Sequence, residues 1–193
     1  MPNTQPEALG RVVTLLDLRG ISYCVGGSLA SSYYGVSRTT ADADIIVDLQ
    51  PGHLDALAAA LDPEFYASRD AMREALRERR SFNAIHLETL FKVDFFVLGD
   101  GPFDREEFRR RVPKQLAELP DVPVTLMTAE DTVLRKLRWF RSGGDVSDHR
   151  WRDVLGVLVT SGSMLDLAYM ERWAASLGVS DLLSRARAEA STH

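Results

Sequence analysis

Cysteine is almost absent from this chain of 193 residues, which contains only Cys24. A single cysteine excludes an internal disulfide, so a hydrophobic core must hold the fold together, and the 45% hydrophobic content is enough for one. The four histidines are scattered and form no zinc-site spacing with Cys24. If the chain binds a metal ion, the sequence therefore predicts a hard cation held by carboxylate oxygens.

Long hydrophobic runs and a basic leader are also missing. No stretch of 18 apolar residues occurs, and the first residues lack the features of a secretion signal, so we expect a cytoplasmic protein without membrane contact. The net charge of -5 argues against attraction of nucleic acid to the whole surface. Lysine is scarce, with three lysines against twenty arginines, which draws attention to Lys92 and Lys136.

The first two thirds of the chain mixes predicted helices and strands. Hydrophobic spacing predicts a helix at 6–19, a strand at 21–25 and a second strand at 43–49. Two further strands, at 81–88 and 91–98, are joined by a tight connection and predict an antiparallel hairpin. The stretch 112–127 contains three prolines and is expected to hold at most short edge strands.

From Thr128 onward the pattern is helical only. The sequence therefore predicts an α/β (α+β) chain with a core domain at 1–127 and a C-terminal helical region at 128–193. The predicted helices of this region are 129–141, 147–160, 165–177 and 180–190.

Two aspartates open the second predicted strand. In a strand, Asp42 and Asp44 point to the same face with Cα atoms about 6–7 Å apart, while Ala43 and Ile45 point to the other. The two charges repel each other, and a pair of Mg²⁺ ions would relieve that repulsion. The alternative is two aspartates that simply face solvent at the start of a strand.

A third aspartate, Asp94, interrupts the otherwise apolar strand 91–98. A charge in that setting is costly unless it is paired or bound to a metal. If this strand lies beside the Asp42 and Asp44 strand, three carboxylates share one face and could hold an octahedral metal site. The alternative is a salt bridge from Asp94 to an arginine or to Lys92.

The turn Gly26-Gly27-Ser28 lies between a predicted strand and a predicted helix. Glycine allows the backbone to approach a ligand, and a helix N-terminus attracts anions, so the turn is suited to binding phosphate. On its own the turn is weak support, because most such turns only connect elements.

These features together resemble the signature of the DNA polymerase β-type nucleotidyltransferase superfamily. The shared pattern is Gly-Gly-Ser, a gap of thirteen residues, Asp-x-Asp on a strand, and a third aspartate on a later strand. The segment Ser37-Arg38-Thr39-Thr40-Ala41-Asp42-Ala43-Asp44 is similar to the Arg-x-Thr-x-Asp-x-Asp form of AbiEii-like toxins and of short uncharacterised bacterial relatives.

The resemblance implies a nucleotidyltransferase fold, with a mixed twisted sheet, flanking helices and a C-terminal helical bundle. It implies that Gly26, Gly27 and Ser28 bind the phosphates of an NTP such as ATP. Asp42 and Asp44 would bridge two Mg²⁺ ions, with Mn²⁺ as an alternative. Asp94 would bind the ion that activates the acceptor hydroxyl and would take its proton.

Two basic residues are further candidates for nucleotide binding. Lys136 resembles the lysine that reaches the triphosphate, although an ordinary solvated lysine on a basic helix is the alternative. Arg38 precedes Asp42 and could contact phosphate or acceptor, with a surface ion pair as the alternative. Asp148 lies in a segment similar to the helix start of AbiEii-like proteins, where an aspartate orients active-site groups; we interpret it instead as a first-turn charge that favours the helix dipole.

The predicted activity is Mg²⁺-dependent transfer of an NMP from an NTP to an acceptor hydroxyl. The acceptor could be the end of a tRNA or other RNA, a protein, or a small molecule such as an antibiotic, and a toxin-like role in a toxin-antitoxin pair follows from the AbiEii resemblance. The alternatives are a non-catalytic, antitoxin-like protein that binds a nucleotide or a partner, and a metal-dependent phosphohydrolase. The sequence does not predict the oligomeric state.

Overall fold

The structure is a computed structural model that describes residues 4–37, 40–144 and 146–192. These described residues divide into two units. The first consists of the chain up to Gly26 together with Thr40–Leu126, and the second of the described parts of Gly27–Thr39 and Met127–His193. The sequence-based division at 127/128 stays a prediction about domains, and it did not anticipate that the segment after Gly26 groups with the C-terminal helices.

The first unit is built on a mixed sheet of seven strands, counted over the described residues, in the order β3-β4-β5-β2-β1-β7-β6. The pairs β2/β5 and β1/β7 are parallel and the others are antiparallel. The predicted fold class is therefore confirmed. The strands are β1 (Tyr23–Val25), β2 (Asp42–Val47), β3 (Phe65–Ala67), β4 (Ser81–His86), β5 (Lys92–Val97), β6 (Val112–Leu116) and β7 (Leu119–Leu126).

Alternation along β2 and β5 separates an apolar face of the sheet from a polar one. Ala43, Ile45 and Val47 on β2 are buried, as are Val93 and Phe95 on β5. Burial of each valine, isoleucine or phenylalanine side chain among these stabilises the folded state by roughly 1.5–3 kcal/mol. The helices of this unit are α1 (Gln5–Leu18), α3 (Leu54–Leu61), α4 (Arg69–Glu78) and α5 (Pro102–Arg110).

The strands between residues 112 and 127 differ from the prediction. β7 is eight residues long and lies inside the sheet between β1 and β6, so the expectation of short edge strands was wrong for it. The prolines are accommodated because β1 pairs with β7 only at Leu126, which leaves Pro120 and Pro123 where β7 has no β1 partner. A missing N–H costs little where a strand is paired on one side only.

The second unit is helical. The helix α2 follows the glycine turn, and the remaining helices match those predicted after Thr128. They are α2 (Gly27–Tyr34), α6 (Ala129–Ser142), α7 (Asp148–Ser161), α8 (Leu167–Leu177) and α9 (Ser180–Ala190). Among the described residues, no helix combines the length and the apolar character that a membrane span requires.

Gly35, just after α2, packs directly on the backbone of α7. A Cβ at this position would lie 2.8 Å from the carbonyl carbon of Gly156 and from the nitrogen of Val157. Backbone atoms cannot rotate away as a side chain can, so the two helices would have to separate. We expect Gly35→Ala to lower the free energy of unfolding by about 1–3 kcal/mol, measured by urea denaturation.

Gly52→Ala is the matched control, because a Cβ on Gly52 meets nothing within 4 Å. Its free energy of unfolding should stay within about 0.5 kcal/mol of the wild type. Equal stability of Gly35→Ala and the wild type would show that the backbone of α7 does not pack closely against Gly35.

Candidate active site

The three predicted aspartates lie on one face of the sheet. In the parallel pair β2/β5, Asp44 is directly opposite Asp94 and Asp42 is directly opposite Lys92. Residues that pair across neighbouring strands share a face, as do residues two apart on one strand. The structure therefore brings Asp42, Asp44 and Asp94 together, while their catalytic and metal-binding roles stay predictions.

Asp42 and Asp94 each have a close polar partner on a neighbouring residue of the chain. The Oγ1 of Thr40 donates a hydrogen bond of 2.8 Å to Oδ1 of Asp42. The Nζ of Lys92 lies 2.7 Å from Oδ2 of Asp94, which is the salt bridge that the sequence analysis kept as an alternative for Asp94. The hydrogen bond to Asp94 raises the pKa of Lys92 above its usual value, and the negative charges of Asp94, Asp42 and Asp44 add to this against the opposing effect of desolvation.

The chemistry of this set of side chains fits a hard divalent cation. Mg²⁺ and Mn²⁺ prefer carboxylate oxygens, and two adjacent strands supply three of them on one face. Among the described residues, no group of three or more His, Cys, Asp or Glu side chains is arranged as a metal site as it stands. Lys92 engages Oδ2 of Asp94, so a metal ion bound at that oxygen would compete with the ammonium.

The residues of the glycine turn have different backbone roles: Gly26 pairs within the sheet, whereas Gly27 begins α2. The N–H of Gly26 donates a 2.9 Å hydrogen bond to the carbonyl of Asp44, so this N–H is used within the sheet. Gly27 begins α2 with a φ of +57°, a left-handed conformation that explains why glycine stands there. Ser28 lies in the first turn of α2. Phosphate binding by Gly26, Gly27 and Ser28 stays a prediction.

Lys136 is buried, so the interpretation as a solvated lysine was wrong. Its Nζ donates a 2.7 Å hydrogen bond to Oδ2 of Asp153, and the two side chains are only 8% and 10% exposed. The sequence analysis missed Asp153, because nothing local links α6 and α7 across seventeen residues. Asp148 is exposed in the first turn of α7, where the interpretation had placed it. Arg38 lies outside the described residues.

Asn83 is a second residue that the sequence analysis missed. It lies on β4 directly opposite Asp94, and its side chain is exposed. The row Asp44, Asp94, Asn83 therefore crosses three neighbouring strands on one face of the sheet. The alternation in β4 could have indicated it, because Asn83 is a polar residue between the apolar residues Phe82 and Ala84.

Comparison with known proteins identifies the fold but no close relative. No protein-family profile matches the chain, and no curated protein matches it. Solved structures do match.

All three structural matches described below cover 91% of this chain. The solution structure of the antibiotic-resistance factor ANT(2'')-Ia is 16% identical, with a TM-score of 0.56 over 96% of its chain. The crystal structure of ANT(2")-Ia in complex with adenylyl-2"-tobramycin is 15% identical, with a TM-score of 0.59 over 97% of its chain. An antigenic nucleotidyltransferase-like protein from Paracoccidioides brasiliensis is 15% identical, with a TM-score of 0.57 over 91% of its chain.

The chain therefore has the fold of nucleotidyltransferases. At this level of identity the likeness concerns the fold alone, and the AbiEii-like subfamily stays a prediction.

Proposed function

We propose that this chain is a nucleotidyltransferase that uses divalent metal ions to move an NMP from an NTP to an acceptor hydroxyl. The observation that carries the proposal is the register of β2 and β5, which sets Asp44 opposite Asp94 with Asp42 on the same face. Like charges opposite each other weaken a sheet, so a function that needs both charges would explain their presence. Metal binding for nucleotidyl transfer is the function that we propose for them.

The three carboxylates take distinct roles in this proposal. Asp42 and Asp44 would hold the metal ions, and Asp94 would help to hold the one that activates the acceptor hydroxyl. Mg²⁺ or Mn²⁺ bound there would neutralise negative charge on the transferred phosphoryl group. The Asp94 carboxylate accepts the proton of the acceptor hydroxyl once Lys92 no longer holds it, so that the hydroxyl oxygen can attack the α-phosphate and pyrophosphate can leave.

The phosphates of the NTP are assigned to the start of α2. The first turn of a helix presents backbone N–H groups and the positive end of the helix dipole, which together favour phosphate. Gly27 and Ser28 form this turn, and the hydroxyl of Ser28 supplies a further donor. Arg38 and Lys136 stay predictions for nucleotide binding from the sequence resemblance.

A small-molecule hydroxyl is the acceptor class to test first. The ANT(2")-Ia structure was determined with adenylyl-2"-tobramycin, and this chain covers 97% of that protein. The net charge of -5 makes an RNA acceptor less favourable, because phosphate backbones are attracted by positive surfaces. A toxin-like role and a cytoplasmic location stay predictions from the sequence.

A second candidate function is binding without catalysis. The observation in its favour is the salt bridge between Lys92 and Asp94, because a paired carboxylate needs no metal. In that case the protein would bind a nucleotide or a partner and would transfer nothing.

Label transfer separates these functions. The protein is incubated with Mg²⁺ or Mn²⁺, each α-labelled NTP, and separately aminoglycosides, tRNA and total cell protein. If the protein is a nucleotidyltransferase, label should appear on one acceptor class together with an equal amount of pyrophosphate. EDTA should abolish both. Release of inorganic phosphate alone would identify a phosphohydrolase, and nucleotide binding without any transfer would identify the non-catalytic protein.

A further inference from the structure

Lys92 lies on the same face of the sheet as the carboxylate row, defined as Asp42, Asp44 and Asp94. It begins β5 directly opposite Asp42, and it shares its face with Asp94 two residues on. Its Nζ is 2.7 Å from Asp94, and the charges of Asp42 and Asp44 also act on it. One ammonium group thus faces three carboxylates.

The pair between Lys92 and Asp94 is exposed enough to exchange. The two side chains are 43% and 21% exposed, whereas those of the other 2.7 Å lysine-aspartate pair, Lys136 and Asp153, are 8% and 10% exposed. Half-exposed ion pairs contribute little net stability, because water solvates their separated charges well. When a buried ion pair separates, water does not solvate the two charges in this way. Lys92 can therefore leave Asp94 at low cost, while Lys136 is fixed to Asp153.

A divalent cation and an ammonium group compete for the same carboxylate. Both are positive, and they repel each other strongly at contact distance in a partly buried site. The carboxylates as placed form no metal-holding group, and Asp94 is the member that Lys92 engages. A metal ion that binds Oδ2 of Asp94 would therefore compete with the ammonium for that oxygen.

We infer that Lys92 is a built-in counter-ion of the carboxylate row, which holds Asp94 in the absence of a divalent cation and is displaced when one binds. This inference rests on the proposed function, because it presupposes that Asp94 is a metal ligand. Lys92 is a positioning residue in this account. It keeps like charges on β2 and β5 compatible with a folded sheet and sets the affinity with which the row binds metal.

Mn²⁺ titration followed by electron paramagnetic resonance tests the inference on the full chain. Lys92→Met should bind Mn²⁺ about tenfold more tightly than the wild type, because the competing charge is gone. Lys92→Arg keeps the charge and should bind like the wild type. Lys114→Met, on β6 at the far edge of the same sheet, controls for the change in net charge. Lys92→Gln is a second neutral variant, in case the methionine variant folds poorly.

Thermal unfolding gives a readout that does not depend on activity. Without metal, Lys92→Met should melt at a lower temperature than the wild type, since the Asp94 carboxylate faces Asp44 and loses its ammonium partner. With saturating Mn²⁺, the melting temperature of Lys92→Met should rise more than that of the wild type, because metal binding stabilises the folded state in proportion to affinity.

The outcomes separate this inference from the proposed function. If the wild type binds Mn²⁺, Asp94→Asn does not, and Lys92→Met binds no more tightly than the wild type, the counter-ion role is wrong and the proposed function stands. If neither the wild type nor Lys92→Met binds Mn²⁺, both are overturned. If Lys92→Met binds Mn²⁺ and the wild type does not, the counter-ion role is supported, because the ammonium then prevents metal binding in the wild type.

Discussion

Asp44→Asn is expected to lower the rate of nucleotidyl transfer by about a thousandfold, a loss of roughly 4 kcal/mol of transition-state stabilisation. Asparagine keeps the shape of aspartate but loses the charge that a divalent cation needs. Asp44 lies directly opposite Asp94 on β5, so the lost charge is one of the proposed metal ligands.

The measurements are initial rates with an α-labelled NTP and urea denaturation in EDTA. Asp121→Asn is the control, because Asp121 is an exposed aspartate on β7 of the same sheet. It should change neither the rate nor the stability. An Asp44→Asn protein that folds and keeps its activity would count against a functional charge at this position.

Lys136→Met is expected to lower the free energy of unfolding by about 3–5 kcal/mol, because it leaves the carboxylate of Asp153 buried without its ammonium partner. The double variant Lys136→Met with Asp153→Leu should recover most of that loss, since apolar side chains of similar size replace a buried ion pair at little cost. Urea denaturation of the two variants and the wild type measures this. A single variant as stable as the wild type would show that the ion pair does not hold α6 to α7.

The folded double variant also decides whether Lys136 serves the nucleotide. Isothermal titration calorimetry with an NTP is the measurement, and a matched Kd for wild type and double variant would assign Lys136 to stability alone. A Kd weakened tenfold or more in a folded double variant would support the predicted contact with the triphosphate.

The shared face of the aspartates could be predicted because it depends on local rules. A period of two sets Asp42 beside Asp44, and the charge of Asp94 in an apolar strand indicates a polar face on that strand. Each of these inferences needs only a few neighbouring residues.

The partners of charged side chains could not be predicted in the same way. The sequence offered Lys92, two residues away on the same face of β5, and many arginines as partners for Asp94, and local rules do not choose between them. The ion pair of Lys136 with Asp153 joins two helices, so its formation depends on how α6 and α7 pack. The grouping of α2 with the C-terminal helices is equally non-local.

The central claim is that the carboxylates of Asp42, Asp44 and Asp94 together hold the metal ions for transfer. The most direct test is Mn²⁺ binding in the presence of an NTP analogue with a non-cleavable α,β linkage, compared across the wild type, the three single Asp→Asn variants and Asp121→Asn. The account predicts that each of the three variants weakens Mn²⁺ binding at least about tenfold and that Asp121→Asn does not. Undiminished Mn²⁺ binding in all three variants would contradict it.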